Sequence, residues 1–473
     1  MYSHEVRCET SDTGAGRRSG PVSDSAGRLR RANSLGRMMV GHTVRTTTTR
    51  ATAPLRSADA NVRKRDEAIL SLADDLVRVL GPMKGAALKI GQIIALFDFG
   101  LSNRATRDEF AARLAPLFDG VVPMEWSAIE KVLARELGRS LRRLDIDPEP
   151  LAAASLGQVH FAMLDGTMPV VVKVQYPGID SAVRADLKNL KLFAKVGGPV
   201  MPGLNLDAII DEIAAEVARE CDYIAEAGNQ ARAWSLCVDH PCWKVPRVFP
   251  EMSTARVMVS EFFDGVQFAD IVSGDRDRAE YAAEAIYRFY GGGVYEAGEF
   301  CADPHPGNVL GLPDGRLGFI DFGLYVRMSA ESLADQTRVL RALIEGRYHD
   351  AYRDCRDLGM ATAGSVGEAD IVSMMSDIGF WFLTEDHVTI TKDVARRAVT
   401  SLFVPGAAHL STTRHTALPT DHIFSRRTDL AVCGLLGQLD ATNRWGAIIR
   451  EWIDGRPPAT EMGAEIQRWR QGR

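Results

Sequence analysis

The sequence predicts an α+β protein with two lobes, preceded by a helical extension. Three observations support this prediction. Strand-like apolar runs at residues 170–174 and 255–259 lie between residues 144 and 262. Helix-period apolar patterns dominate before and after that region. Short apolar runs and turn residues then recur at residues 300–323, inside an otherwise helical stretch.

Five segments follow from these patterns. Residues 1–60 are rich in Gly, Ser, Thr and Arg and are predicted to be a disordered basic tail, either solvated or touching anionic lipid or RNA. Residues 61–143 are predicted to form the helical extension, and residues 144–262 the small lobe. Residues 263–410 are assigned to the large lobe, and residues 411–473 to a C-terminal helical tail.

Composition and charge exclude several classes of protein. Of the 473 residues, 46% are hydrophobic and 25% are charged, as in an ordinary globular protein. The formal net charge of −6 argues against nucleic acid as a partner of the whole chain. Seven cysteines without a C-x-x-C pair favour a reducing compartment and argue against a zinc site.

The sequence shows no apolar run of the ~18–20 residues that a membrane span needs, and no signal-peptide core. We therefore expect a cytoplasmic location, with peripheral contact to a membrane surface as an open alternative. The oligomeric state cannot be predicted from these patterns.

The strongest chemical signal is Asp303-Pro304-His305-Pro306-Gly307-Asn308, closed by Asp321-Phe322-Gly323. This spacing repeats the D-x-x-x-x-N … D-F-G layout of protein-kinase-like folds. Mg²⁺ prefers oxygen ligands, so Asn308 and Asp321 are predicted to hold metal. Asp303 is predicted to orient or deprotonate an acceptor, as the catalytic carboxylate. The alternative is a structural loop that binds no metal.

Asp-Phe-Gly occurs twice, and the surrounding residues distinguish the two copies. Asp321 follows the apolar run 317–320 and a turn at residues 313–315. Asp98-Phe99-Gly100 follows an alanine-rich helical pattern. Gly100 is therefore predicted to end a helix, and Asp321 is assigned to the metal site.

A nucleotide-binding set is predicted in the small lobe. In a kinase small lobe a glycine-rich hairpin covers the phosphates and a later strand carries a lysine. Lys173 lies among valines on a strand that must be buried, which is costly unless an anion compensates the charge. The alternative is a lysine at a wet strand edge. The predicted set is Ala152, Ala153, Ala154, Ser155, Gln158, Lys173 and Glu261, completed by an acidic partner of Lys173.

Three acids on the next predicted helix, residues 207–234, are candidates to pair with lysines. Asp222, Glu226 and Asn229 share one helical face, whereas Glu220 flanks the apolar stripe. One acid should pair with Lys173 and another with Lys89, but periodicity alone does not decide which.

A second set of residues is predicted in the extension. Lys89 and Gln92 lie three residues apart in the helical pattern 83–97, so both project from one side of the helix. Taken alone, such a pair also fits a solvated helix face.

Five motifs in order resemble the UbiB family of atypical protein-kinase-like proteins, the AarF/ADCK group. They are Lys89-Ile90-Gly91-Gln92, the alanine loop 152–154, Lys173, Glu220-Cys221-Asp222 and the stretch 302–308. The resemblance covers roughly residues 61–330 and extends weakly to about residue 455. It implies that the K-x-G-Q extension folds over the cleft where a peptide would otherwise bind, with Lys89 and Gln92 as regulatory residues that meet Glu220 and Asp222. Glu226 would then be left for Lys173.

The resemblance also implies cofactors and a substrate class. ATP or ADP and Mg²⁺ would bind in the cleft, and the activity would be an atypical kinase or weak ATPase linked to a prenylquinone or other isoprenoid lipid. The sequence itself argues against an ordinary protein kinase. The helical pattern 329–344 begins soon after Gly323, which leaves no long activation loop and no Ala-Pro-Glu.

The sequence departs from the family pattern in two places, and two alternative functions are considered. Cys301 stands where the family usually has histidine, and the C-terminal membrane spans of some bacterial members are absent. One rival is a nucleotide-gated lipid-binding or scaffold protein without turnover. The other is a small-molecule kinase of the aminoglycoside- or choline-kinase type, against which the K-x-G-Q helix argues.

Overall fold

The structure is a computed structural model. It describes residues 58–80, 104–117, 123–154, 156–179, 214–215, 217–360, 366–403 and 420–473, with the single residues 409, 412 and 416. Three predicted functional positions lie outside the described residues: Lys89, Gln92 and Ser155. The second Asp-Phe-Gly copy, at residues 98–100, also lies outside them. Residues 1–57 of the predicted tail also lie outside them.

The helical extension contains three described helices: α1 (Ala58–Leu80), α2 (Arg104–Leu114) and α3 (Trp126–Leu137). Helix α1 begins at Ala58, two residues before the predicted end of the tail. Ile129 and Leu133 lie one turn apart on α3 and are fully buried. They share one hydrophobic core with Val172 of the small lobe, so the extension packs against that lobe.

The small lobe is an antiparallel sheet with the order β1-β2-β3-β5. Its strands are β1 (Leu144–Ala153), β2 (Gly157–Leu164), β3 (Met168–Gln175) and β5 (Val257–Glu261). Val170, Val172 and Val174 are fully buried on one face of β3. Because side chains alternate across a strand, Lys173 projects from the opposite face. Both predicted strands, at 170–174 and 255–259, are confirmed with shifted ends.

Helix α4 (Tyr223–Leu236) follows the sheet's first three strands along the chain. The sequence predicts one continuous helix over residues 207–234, and this is wrong in its middle. Residues 217–220 are helical, but the helix is interrupted at Cys221 and Asp222. The Asp222 side chain accepts a hydrogen bond from the Ala225 backbone N–H at 3.0 Å, so it caps the start of α4.

The described part of the large lobe contains three small sheets, two of which are formed by residues 243–327. Strands β4 (Trp243–Lys244), β6 (Val266–Gln267), β8 (Val309–Gly311) and β9 (Leu317–Phe319) form one sheet with the order β4-β9-β8-β6. Strands β7 (Glu299–Cys301) and β10 (Tyr325–Arg327) pair antiparallel. The predicted turn after β8 is present, with Gly315 at φ +92°, a left-handed conformation that glycine adopts at low cost.

The rest of the large lobe is helical, as predicted. The helices are α5 (Phe268–Ser273), α6 (Arg276–Gly292), α7 (Ala330–Ile344), α8 (Tyr348–Asp357), α9 (Glu368–Leu383), α10 (Lys392–Phe403), α11 (Thr420–Gln438), α12 (Trp445–Asp454) and α13 (Glu461–Gln471). Strands β11 (Val388–Ile390) and β12 (Ala441–Asn443) pair between them.

The helices after residue 411 share the large lobe's core. Leu436 of α11 and Ile448 of α12 are fully buried in the same cluster as Ile286 of α6. The residues predicted as a C-terminal tail are thus packed against the centre of the lobe. Among the described residues, no helix is both long enough and apolar enough to cross a membrane.

Candidate active site

Two backbone hydrogen bonds join the Asp303 loop to the Asp-Phe-Gly segment. The Ala302 N–H donates to the Leu324 carbonyl at 2.9 Å, and the Ile320 N–H donates to the Asn308 carbonyl at 3.2 Å. The Asn308 side-chain amide also donates to the Asp303 carbonyl at 3.4 Å. The loop that carries Asp303 and Asn308 is therefore fixed beside Asp321.

Asp321 is held by its own turn and by a cysteine. Its Oδ1 accepts a hydrogen bond from the Gly323 N–H at 2.9 Å. The Cys301 Sγ donates to the Asp321 carbonyl at 3.4 Å. Burial raises the pKa of the Cys301 thiol well above its ordinary value, so the thiol stays protonated and can donate. Cys301 thus supports the segment that carries Asp321.

Lys173 pairs with Glu226. The Lys173 Nζ lies 2.7 Å from Glu226 Oε1 and 2.8 Å from Oε2. Burial opposes the charge of the ammonium, but Glu226, Tyr223 and Asp321 together outweigh it and raise the pKa of Lys173. Of the acids that the helix pattern left open, Glu226 is therefore the partner of Lys173 in the structure, as the resemblance implies.

Two further residues surround this pair and were missed at the sequence level. The Lys173 Nζ lies 4.9 Å from the ring centroid of Tyr223, a cation–π distance. Gly157 of β2 faces the same tyrosine. A Cβ at Gly157 would lie 2.2 Å from the Val174 carbonyl oxygen and 3.0 Å from the Tyr223 hydroxyl. The glycine allows β2 and β3 to approach beside the lysine.

Helix α4 is also tied to the Asp-Phe-Gly segment. The Asn229 side-chain amide donates to the Phe322 carbonyl at 3.2 Å. Phe322 itself is fully buried in the large-lobe core. The helix that holds Glu226 against Lys173 therefore contacts the segment that carries Asp321. The position of the Lys173–Glu226 pair thus constrains the position of Asp321.

The predicted alanine loop is accessible. Ala152 and Ala153 are exposed at the end of β1, and Ala154 is half-buried. The Ala154 N–H donates to the Gly157 carbonyl at 2.8 Å and closes the turn into β2. An exposed hairpin tip in this sheet suits the loop of a kinase small lobe that covers phosphates.

The prediction that Gln158 contacts the nucleotide needs correction. Its side chain is fully buried and is bonded inside the protein. Its Oε1 accepts from the Met124 N–H at 2.8 Å, and its Nε2 lies 2.9 Å from His160 Nε2. His160 Nδ1 in turn lies 2.8 Å from the Asp147 carbonyl oxygen. Because these polar atoms face the interior, Gln158 supports β1 and β2 and does not face a ligand.

Other predicted residues have local structural partners. Glu261 Oε2 accepts a hydrogen bond from the Arg247 N–H at 3.2 Å, at the end of β5. Asp222 is the N-cap described above, so it does not share the helical face of Glu226. Glu220 is half-buried in the preceding helical residues. Its predicted contacts with Lys89 and Gln92 lie outside the described residues.

The donor set fits Mg²⁺ bound together with a nucleotide. Asn308 and Asp321 supply amide and carboxylate oxygens from adjacent segments. Within the described part of the chain, no group of three or more His, Cys, Asp or Glu side chains could hold a metal on its own. Mg²⁺ is commonly bound by one or two protein oxygens plus substrate phosphates and water, so the two residues suffice for that mode.

An arginine far along the chain enters the site and was missed at the sequence level. Arg427 Nη2 of helix α11 lies 3.0 Å from Asp303 Oδ1, across a separation of 124 residues. An arginine on a helix is usually solvated, and no motif links it to Asp303. Only the packing of α11 against the large lobe brings the two together.

Several known proteins are similar to this chain in sequence or in fold. The model for the ABC1 atypical kinase-like domain matches residues 116–354. An uncharacterized Synechocystis protein is 32% identical over 318 residues, which are 64% of this chain and 76% of that protein. The mitochondrial atypical kinase COQ8 of Saccharomyces cerevisiae is 32% identical over 217 residues. That match covers 46% of this chain and 42% of COQ8, less than half of the relative's length.

A solved structure matches over a longer range. It is the complex of Rv3197 with erythromycin from Mycobacterium tuberculosis, with a TM-score of 0.59 and 29% sequence identity. The match covers 82% of this chain and 96% of that chain. The fold similarity therefore extends well beyond the matched domain.

Proposed function

This chain belongs to the ABC1 atypical kinase-like family, and on that premise we propose that it binds ATP or ADP with Mg²⁺ and transfers or hydrolyses the terminal phosphoryl group. The Lys173–Glu226 ion pair, made to both carboxylate oxygens, is the observation that supports this most directly. A lysine held this way beside an Asp-Phe-Gly segment is the arrangement that active kinases require.

Each residue has a proposed role. Lys173 would bind the α- and β-phosphates, and Glu226 would keep it in place. Asn308 and Asp321 would hold Mg²⁺, which neutralises phosphate charge when bound. Asp303 would orient the acceptor and take its proton. The exposed loop of Ala152, Ala153 and Ala154 would cover the phosphates, with Ser155 in the same loop.

The acceptor is proposed to be something other than a peptide. After Gly323 the chain forms β10 and then enters α7 at Ala330, with Ser329 as its N-cap. This leaves no room within residues 324–329 for the loop on which protein kinases bind peptides. Lys89 and Gln92 are proposed to regulate access to the cleft together with Glu220 and Asp222.

An isoprenoid or quinone-type lipid is the proposed substrate class or effector. The resemblance to the UbiB family supports it, as does the similarity to COQ8. The fold neighbour is complexed with erythromycin, which is an organic molecule and not a peptide, and this supports a non-peptide ligand. Peripheral contact with a membrane would deliver such a lipid to the cleft.

Thermal unfolding with ATP or ADP, each with and without Mg²⁺, tests the proposal. A ligand that binds only the folded state stabilises it by RT ln(1 + [L]/Kd). We expect Tm to rise with nucleotide and to rise further with Mg²⁺. Phosphate release is then measured with isoprenoid quinone vesicles and with vesicles that lack the quinone. An unchanged Tm with every nucleotide would reject the proposal, and binding without any turnover would favour the scaffold function instead.

A further inference from the structure

Arg427 contacts the carboxylate to which the proposed function assigns acceptor activation. The distance from its Nη2 to Asp303 Oδ1 is 3.0 Å, and the two side chains keep 38% and 41% of their surface exposed. Both groups are therefore partly accessible to solvent while they remain paired. An ion pair with this much exposure contributes little to stability, typically under about 1 kcal/mol. Its placement on the predicted catalytic residue therefore matters more than its contribution to folding.

The Asp303 loop itself offers little positive charge. His305 is the ionisable basic side chain between Asp303 and Asn308, and its Nδ1 accepts a hydrogen bond from the Gly307 N–H at 3.0 Å. That bond is within the loop and occupies His305 Nδ1 as an acceptor. Phosphoryl transfer depends on positioned cations as well as Mg²⁺, often an arginine supplied by another segment. Arg427 is an arginine that reaches this loop from another segment.

Buried partners fix the helix that carries Arg427. The preceding residue, Arg426, donates to the Tyr295 hydroxyl at 2.6 Å and lies 3.0 Å from Asp429. Tyr295 also donates to Asp429 at 2.7 Å, and both residues are buried. Successive residues on a helix diverge by about 100°, so anchoring Arg426 in the core directs Arg427 elsewhere, here toward Asp303. The orientation of Arg427 is thus set by the core.

We infer that Arg427 is a positioning residue for Asp303, supplied by helix α11 from beyond the matched domain. Its guanidinium holds the carboxylate in one orientation in the ground state, so that the acceptor hydroxyl or water meets a fixed oxygen. The inference rests on the proposed function, because it assigns Arg427 a part in turnover and none in nucleotide binding.

The test compares the parent with Arg427→Ala and Arg427→Lys. Arg396→Ala is the matched control, since Arg396 makes a surface ion pair with Asp393 at 2.9 Å on α10. Nucleotide affinity is measured by calorimetry with Mg-ATP, and turnover by phosphate release. We expect Arg427→Ala to lower kcat about 10- to 100-fold, the range for a misplaced catalytic group, with Kd for Mg-ATP unchanged. Arg427→Lys should retain part of the rate, and Arg396→Ala should retain all of it.

Two further readouts separate positioning from a structural role. Added guanidinium chloride at millimolar concentration should restore part of the rate of Arg427→Ala and leave Arg396→Ala unaffected. In thermal unfolding, the double variant Asp303→Ala/Arg427→Ala should melt at the Tm of the less stable single variant, because each single change already breaks the pair. Additive Tm losses would show that the two side chains do not interact.

Failure of the inference is distinguishable from failure of the proposed function. A parent protein that binds no Mg-nucleotide, or binds it without turnover, fails the proposed function. A parent that binds and turns over normally, beside an Arg427→Ala variant of equal kcat, overturns the inference alone. Should Arg427→Ala not fold, the Arg427→Lys variant decides: full kcat with weakened Mg-ATP binding would overturn the positioning role.

Discussion

Lys173 of strand β3 and Glu226 of helix α4 form an ion pair in which the ammonium reaches both carboxylate oxygens, at 2.7 and 2.8 Å. The carboxylate side chain is 5% exposed and the lysine side chain 24% exposed. The pair joins the small-lobe sheet to the helix that also contacts the Asp-Phe-Gly segment through Asn229. It therefore aligns the proposed phosphate-binding and metal-binding residues.

Replacement of Lys173 by alanine should destabilise the protein as well as weaken nucleotide binding. Glu226 would be left buried without its partner, and breaking a buried pair typically costs ~3–5 kcal/mol. Because Lys173 keeps some exposure, we expect the free energy of unfolding to decrease by an amount near the lower end of this range. Urea unfolding measures the decrease. The double variant Lys173→Glu/Glu226→Lys should recover more stability than Lys173→Glu/Glu220→Lys. The reverse ranking would assign the pair to Glu220.

Gly157→Ala should destabilise the small lobe. The new Cβ would lie 2.2 Å from the Val174 carbonyl oxygen, so strands β2 and β3 would have to separate next to Lys173. Overpacking of this kind typically costs ~1–3 kcal/mol. Gly228 of α4 is the matched control, because a Cβ there meets nothing within 4 Å. Gly228→Ala should stabilise by ~0.5–1 kcal/mol through helix propensity. Equal effects in urea unfolding would contradict the steric argument.

The sequence predicts much of this site because the relevant residues are near one another in local motifs. The Asp303 loop and Asp321 are separated by a short hairpin, and backbone bonds between Ile320 and Asn308 bring them together. Lys173 is identifiable because a lysine among buried valines requires an anion. Period-2 alternation in β3 then predicts which face it occupies.

Other parts of the site could not be predicted because they depend on packing. Arg427 reaches Asp303 through the packing of helix α11, which the buried contacts of Arg426 help to fix. Gln158 is polar and lies in the motif region, yet its side chain is bonded to Met124 in the interior. The end of the helix before α4 was missed because an N-cap aspartate, Asp222, is difficult to distinguish from an acid within a continuous helix pattern.

The alanine loop should influence nucleotide selectivity. Kinases use glycine there so that the backbone can approach phosphates, and alanine resists the left-handed conformation by roughly 1–2 kcal/mol per residue. Ala153→Gly or Ala154→Gly should therefore change the ratio of ATP to ADP affinity, measured by calorimetry. A loop glycine costs only ~0.5–1 kcal/mol, so folding should persist. Unchanged affinities for both nucleotides would remove these alanines from the binding site.

His240 should make stability sensitive to mild acid. Burial and the nearby Arg470, Arg316 and Arg473 lower the pKa of His240 to about 3, from an ordinary value of about 6.5. Between these values the unfolded chain binds a proton that the folded protein excludes, so stability falls as pH falls below about 6.5.

The pH profile of unfolding checks this prediction. The contribution of His240 should approach ~1.4 kcal/mol per pH unit on the acid side of 6.5. His240→Asn removes the titrating group and keeps an acceptor for the Cys242 N–H, which lies 3.2 Å from His240 Nδ1. The free energy of unfolding, measured with urea, should therefore fall less steeply from pH 7.0 to 5.0 in the variant than in the parent. The carboxylates contribute equally to the two proteins. Parallel profiles would show that His240 does not exclude the proton.

The most direct test of the account is Mg²⁺-dependent nucleotide affinity in two matched variants, Asp321→Asn and Asp98→Asn. Each changes the aspartate of one Asp-Phe-Gly sequence to an amide of the same size. A carboxylate supplies charge to a divalent ion that an amide lacks, so only Asp321→Asn should lose Mg-dependent binding while its Tm without ligand stays that of the parent. Calorimetric titration of Mg-ATP should give parental affinity for Asp98→Asn. Parental affinity in Asp321→Asn, or an equal loss in Asp98→Asn, would contradict the proposed metal and nucleotide site.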